Sequence, residues 1–269
     1  MKLFKKTMLA MAAVASLATA GSANAYLQNW YLDTNGGAAG GSVQIADHLV
    51  ISGTALVTNT FSSATNFTFK EAGSFVSTTA DAGFVNLPNG FSAKFDGVGS
   101  GVVGAPGSLT FSGGNLSLYN SALVQIGTFQ LVAGGATLGN NSVLPNDVVS
   151  FVFKATALTS GYFFKDAAQT MDFANIVNDP AGLLFGLATT NATPAPGQFA
   201  GQAIAANQAY YTSVYGAAFD PTNNPGRNTL VLTNAGQYRF EVPEPASLAL
   251  LGIGLIGAGV ARRRKVVAN

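Results

Sequence analysis

Hydrolysis or group transfer needs a nucleophile activated by a base, or paired acids, and this chain is poor in bases and acids. His48 is the single histidine, and there is no cysteine. A Ser-His-Asp triad would have to use His48 as its base, and Asp47, its chain neighbour, is poorly placed to orient that ring. Neither a thiolate nor a histidine-rich zinc site can be assembled. Asp47-His48-Leu49-Val50 stands where a turn enters a strand, so His48 reads as structural. Glycoside hydrolysis takes two carboxyl groups facing a sugar. Glu71 and Glu241 are the glutamates of the body, and Asp166, Asp172 and Asp179, after an aromatic run, make the best acidic cleft. Aspartate at such positions more commonly builds turns. Asp33-Thr34-Asn35-Gly36-Gly37 and Asp220-Pro221-Thr222-Asn223-Asn224-Pro225-Gly226 offer oxygens of the kind calcium takes, but no glutamate closes the first loop as a bidentate ligand. The expectation is a chain with no catalytic residue, no metal site and no cofactor.

Aromatic residues offer a different chemistry. Tyr210, Tyr211 and Tyr215, with Trp30, Tyr31 and Tyr162, could stack on pyranose faces. Core packing accounts for most of the 19 phenylalanines. Charge argues for an uncharged partner. Between residues 26 and 241 stand six bases and eleven acids, a net −5, although the whole chain is +1. The surplus bases lie at the two ends, so no basic patch points to nucleic acid. A weakly charged, Ser-, Thr-, Asn- and Gly-rich surface suits exopolysaccharide or further copies of the chain.

The elements that must position these groups read as strands. Phe67-Thr68-Phe69, Phe91-Ser92-Ala93-Lys94-Phe95, Leu109-Thr110-Phe111, Leu116-Ser117-Leu118-Tyr119 and Val149-Ser150-Phe151-Val152-Phe153-Lys154 place apolar side chains at period two. Leu230-Val231-Leu232 and Tyr238-Arg239-Phe240-Glu241-Val242 repeat the pattern. Gly113-Gly114 reads as a hairpin turn. Asp179 and Pro180 can open a helical turn or a loop entering a strand. Residues 190–208 read as a long surface loop, or as a seam before a small C-terminal hairpin. An all-β fold follows, an antiparallel β-sandwich or jelly-roll-like domain spanning residues 26–241.

The two ends read as targeting segments. Lys2, Lys5 and Lys6 precede an apolar stretch over residues 8–20, and Ala23 and Ala25 supply small residues before a cut after Ala25. Residues 1–25 are thus a signal-peptide helix, removed by signal peptidase. At the other end, Val242-Pro243-Glu244-Pro245 leads into an apolar run over 246–261 and then Arg262-Arg263-Arg264-Lys265. As a helix those sixteen residues span about 24 Å, short of a hydrocarbon core of about 30 Å. Gly252, Gly254, Gly257 and Gly259 weaken it by up to ~1 kcal/mol each relative to alanine. The basic cluster keeps the far end cytoplasmic, so the body lies on the outer side of the inner membrane during a transient insertion.

Residues 242–265 resemble the PEP-CTERM sorting signal of Gram-negative bacteria. The resemblance implies an exosortase as partner, a membrane protease or transpeptidase that releases or transfers the body to the cell surface. Asn29-Trp30-Tyr31-Leu32-Asp33, Leu49-Val50-Ile51-Ser52-Gly53-Thr54-Ala55 and Phe69-Lys70-Glu71-Ala72-Gly73-Ser74-Phe75 open a second series of blocks. Gly127-Thr128-Phe129-Gln130-Leu131 and Ser160-Gly161-Tyr162-Phe163-Phe164-Lys165-Asp166 complete it, and in this order they are similar to the flocculation-associated PEP-CTERM proteins. That similarity implies a non-enzymatic role in flocculation or biofilm cohesion, in the extracellular matrix, through exopolysaccharide or self contacts. The alternatives are a secreted hydrolase of matrix polysaccharide and a simple tail-anchored periplasmic protein.

Overall fold

The structure, a computed structural model, describes residues 27–37, 42–146, 148–179, 183–195, 197–216 and 228–242. The signal-peptide helix, residues 243–265 of the sorting tail and the Asp220 loop lie outside the described residues.

Strands β1 (Trp30–Asp33), β2 (Ser42–Ile45), β3 (Leu49–Phe61), β4 (Asn66–Ala80), β5 (Val85–Val102) and β6 (Gly107–Asn120) come first in the chain. They are followed by β7 (Gln125–Leu138), β8 (Val148–Leu158), β9 (Phe163–Phe164), helix α1 (Phe173–Asn178), β10 (Phe185–Pro194), α2 (Gly197–Ala206), α3 (Gln208–Tyr215) and β11 (Thr229–Glu241). The antiparallel all-β class expected from the alternation is what the structure shows. Its eight long strands close into a barrel in the order β10-β11-β3-β4-β5-β6-β7-β8. Each barrel strand pairs with the next one in the chain, and β11 returns to β3 from Thr229↔Thr58 to Tyr238↔Leu49. Closure pairs the backbone groups that an open sheet would leave at its edges.

Period-two alternation places the core inside. On β8, Val149, Phe151, Phe153 and Ala155 are buried while Ser150, Lys154 and Thr156 are exposed. Size alternates around the wall as well. The inner face of β5 runs Phe91, Ala93, Phe95, Gly97, Gly99 and Gly101, and rings from the neighbouring strands lie over its glycines. A Cβ on Gly99 would stand 2.5 Å from Phe69 Cζ and closer still to the Thr110 carbonyl, so this position can carry no side chain. Aromatic rings also pair edge to face within the lumen, with Phe69 and Phe111 centroids 4.8 Å apart.

The connections after β4, β6 and β8 stand at one end of the barrel, and β11 finishes there. The three-stranded sheet β2-β1-β9, with α1, closes that end. Fully buried Trp30 and Phe240 meet at 4.9 Å, with Phe163 and Phe173 around them. Asp172 starts α1, its Oδ1 accepting the Ala174 N–H at 2.8 Å.

Three local expectations change. Gly113-Gly114 is not a turn: both residues sit within β6, opposite Val98 and Gly97, next to a register shift. Gly114 is needed because a Cβ there would meet the Asp96 carbonyl at 2.6 Å. Asp179 ends α1, its N–H bonding back to the Asn175 and Ile176 carbonyls, and residues 180–182 after it lie outside the described residues. Residues 190–208 are not a long loop, since 190–194 complete β10 and 197–206 form α2. Nor does β11 belong to a separate hairpin, because it is the stave that closes the barrel.

Candidate functional site

At the capped end the chain leaves the fold toward the sorting segment, and a polar network fixes that exit. Asp81 accepts three backbone N–H groups from the turn before β3: Ala46 at 2.7 Å, Asp47 at 2.8 Å and His48 at 3.1 Å. Asp47 Oδ2 lies 2.9 Å from His48 Nδ1 and 2.8 Å from an Arg239 guanidinium nitrogen. Arg239 sits on β11, two residues before Glu241, so this ion pair ties the last strand to the opening of the first barrel strand. The expectation that Asp47 could not orient His48 is corrected: it does, and the Ala82 N–H donates to Nε2 at 3.3 Å. With both ring nitrogens engaged and the side chain buried, His48 holds a turn and has no lone pair free to activate a hydroxyl. Leu27 N–H bonds the Phe240 carbonyl at 2.9 Å, so both ends of the described fold meet here.

The suspected acidic cleft is a set of turns. Asp172 Oδ2 accepts from the Ser160 hydroxyl at 2.6 Å and the Gly161 N–H at 2.7 Å. Asp166 takes the Thr170 N–H, the Thr170 hydroxyl and the Met171 N–H. The Thr170 N–H leads the bonds that hold its carboxyl below the usual range. Asp33 folds its own loop, Oδ1 accepting from Asn35 N–H at 2.9 Å and Gly36 N–H at 3.2 Å. Among the described residues no three His, Asp or Glu side chains gather as a metal centre requires.

The lumen holds the feature that sequence reading left unweighted. Glu71 points inward from β4, between Phe69 and Gly73. It lines a cavity of about 30 Å³, room for roughly two waters at about 10–15 Å³ each. Val57, Phe67, Phe111 and Phe151 make that cavity mainly apolar, with Asn59, Thr190 and Asn234 as its other polar residues. Part of the Glu71 side chain keeps free surface, but that surface faces the cavity. Burial pushes its carboxyl up to about 7. The buried Asn234 Nδ2 has no hydrogen-bond partner in this lumen. A glutamate in phase with inward phenylalanines, Phe67, Phe69 and Phe75, was the available signal.

The three tyrosines lie on α3, packed on the outer wall. Tyr211 is 1% exposed, over Leu56 and Ala72, so its ring offers no face to a sugar and that expectation is corrected. Tyr210 OH donates to the Phe95 carbonyl at 2.7 Å, and Tyr215 OH to the Leu56 carbonyl at 2.6 Å. Burial raises both phenols above their ordinary value. Lys94 lies over the Tyr210 and Tyr119 rings at 5.2 and 5.3 Å. Lys70 Nζ bonds the Val214 carbonyl in the last turn of α3, a favourable place for a cation. These tyrosines fasten a helix to the barrel.

A family model described as the PEP-CTERM protein-sorting motif matches residues 241–265. No curated protein and no solved structure matches the chain. The chain carries a PEP-CTERM sorting motif, which implies processing by an exosortase and export to the cell envelope or surface. The match begins at the last residue of β11, so motif and barrel adjoin without a linker.

Proposed function

We propose that the protein is a non-enzymatic component of the cell surface or extracellular matrix of a Gram-negative bacterium. It promotes flocculation or biofilm cohesion by contacting exopolysaccharide or other copies of itself. The observation that carries this reading is the sorting motif joined directly to a barrel whose outer wall is hydroxyl-rich and sparsely charged. Thr68, Ser100, Thr110, Asn115, Thr189 and Asn191 are exposed on that wall. Pairs of hydroxyls bridge adjacent strands, Thr128 to Thr156 at 3.0 Å and Thr193 to Thr233 at 2.9 Å. Apolar-in and polar-out is the reverse of a barrel that crosses a membrane with its strands.

Support for a binding role comes from the lumen too. Among the described residues Glu71 is the one acid lining the cavity, whereas sugar cleavage ordinarily takes two. Weak contacts repeated over many surface copies would supply cohesion through avidity. The test is a chain ending at Val242 in place of the wild type. The barrel should be secreted but not retained, and aggregation should be lost. Normal flocculation by cells carrying only the truncated chain overturns the reading.

A further inference from the structure

We propose that the capped end of the barrel is a bilayer-contact surface that rests on zwitterionic phospholipid headgroups, which carry no net charge, while the protein awaits release. This rests on the reading that residues 246–261 enter the membrane. The first argument is the length of the tether. Val242 still packs against the barrel core, and only Pro243, Glu244 and Pro245 separate it from the apolar run. Four steps of extended chain reach about 13–14 Å at ~3.3–3.6 Å per residue. A headgroup layer is about 5–8 Å deep on each side, given ~40–45 Å for a whole bilayer and ~30 Å for its core. The leash therefore exceeds the layer it must cross by about 5–9 Å at full stretch, less than two strand spacings, and the end of the barrel that carries it is held close to the surface.

The second argument is what that end displays. The two most exposed large apolar residues described are Phe84 at 90% and Leu123 at 72%. Both sit at the tips of hairpins, β4–β5 and β6–β7, that turn at the end where β11 finishes. Val124 at 55% and Met171 at 53% stand on connections at the same end. The Phe84 tip is built with care. Asp81, Ala82 and Gly83 have φ of 52°, 59° and 89° in succession, a conformation that non-glycine residues hold only when their surroundings impose it. The Asp81 carboxylate bonds described above impose it. A phenylalanine held out in water on such a turn is unfavourable by itself and becomes favourable at an apolar–polar boundary. Charge selects the lipid. Asp47, Asp166, Asp179 and Glu241 surround this end against Lys165 and Arg239, so neutral headgroups suit it and anionic ones do not.

Trp30 is the only tryptophan and is fully buried, so it gives a constant background. The full chain is reconstituted into phosphatidylcholine vesicles as Phe84→Trp, Leu123→Trp and, at the opposite end, Ser63→Trp. Each position is exposed at a loop tip, and circular dichroism checks that each variant keeps its fold. The expected result is blue-shifted emission and strong quenching by bromine-labelled phosphatidylcholine for Phe84→Trp and Leu123→Trp, with Ser63→Trp unquenched. Equal quenching of all three in chains that sediment with the vesicles overturns the surface and leaves the insertion reading standing. A chain that fails to sediment with the vesicles overturns both.

Discussion

Glu71→Gln should make the barrel more stable, and only above a certain pH. The carboxyl ionises near 4.5 in an unfolded chain and near 7 in the lumen. Below 4.5 both states hold the proton, and the site costs nothing. Between the two values the folded state retains a proton that the unfolded state has lost, so stability falls as pH rises. Above 7 both forms are ionised and the full penalty is present. A shift of that size corresponds to about 3 kcal/mol at 1.36 kcal/mol per unit, an upper figure because cavity water solvates part of the charge. Glutamine keeps the shape and removes the charge. Urea unfolding of chains ending at Val242 is measured for both proteins from pH 4 to 8.5. Other carboxylates titrate over this range, but they do so equally in the two proteins and cancel in the difference. The expected difference is near zero at pH 4 and grows to about 3 kcal/mol at pH 8, or roughly 6–12 °C in Tm for a domain of this size. Parallel curves across the whole range would refute the claim that Glu71 is buried in an apolar lumen.

Three further outcomes follow from the packing. Phe240→Ala removes the ring at the centre of the capped end and should cost about 3–5 kcal/mol by denaturant unfolding. Gly99→Val forces a side chain into Phe69 and the Thr110 carbonyl, so soluble yield should fall and unfolding stability should drop by about 1–3 kcal/mol or more. Asp81→Ala leaves three backbone N–H groups without their acceptor and should cost about 2–3 kcal/mol. The amides of Ala46, Asp47 and His48 should then show the largest gain in hydrogen exchange.

Much of the barrel was legible because a half-buried strand writes its two faces at period two. Phe151 and Phe153 alternate with Ser150 and Lys154, the pattern of a half-buried strand. Closure was not legible, since the pairing of Thr229 with Thr58 spans most of the chain and leaves no local mark. Glycine misled for a physical reason. Gly113 and Gly114 carry the residue type of a turn, but one of them is there because a neighbouring strand comes too close for a Cβ. Helix α1 escaped notice because its six residues are too few for a helical period; Asp172, its cap, reads in the sequence as a turn residue or as part of a cleft. Of the candidate sites, the sorting motif was readable because its features are consecutive in sequence. The tyrosine platform was not, because whether a ring faces solvent or a strand carbonyl depends on where α3 docks. Glu71 needed the lumen itself to stand out.

Because β11 pairs with both β10 and β3, the barrel has, among the described residues, no edge strand onto which another molecule could add one. Proteins crowded at high density in a matrix commonly risk stacking into fibres through such ladders. The barrel wall can be concentrated without offering such a ladder, so on the proposed role the contacts that wall makes come from its side chains. Such glue would be reversible: it would yield to dilution or competing sugar and re-form when cells crowd again.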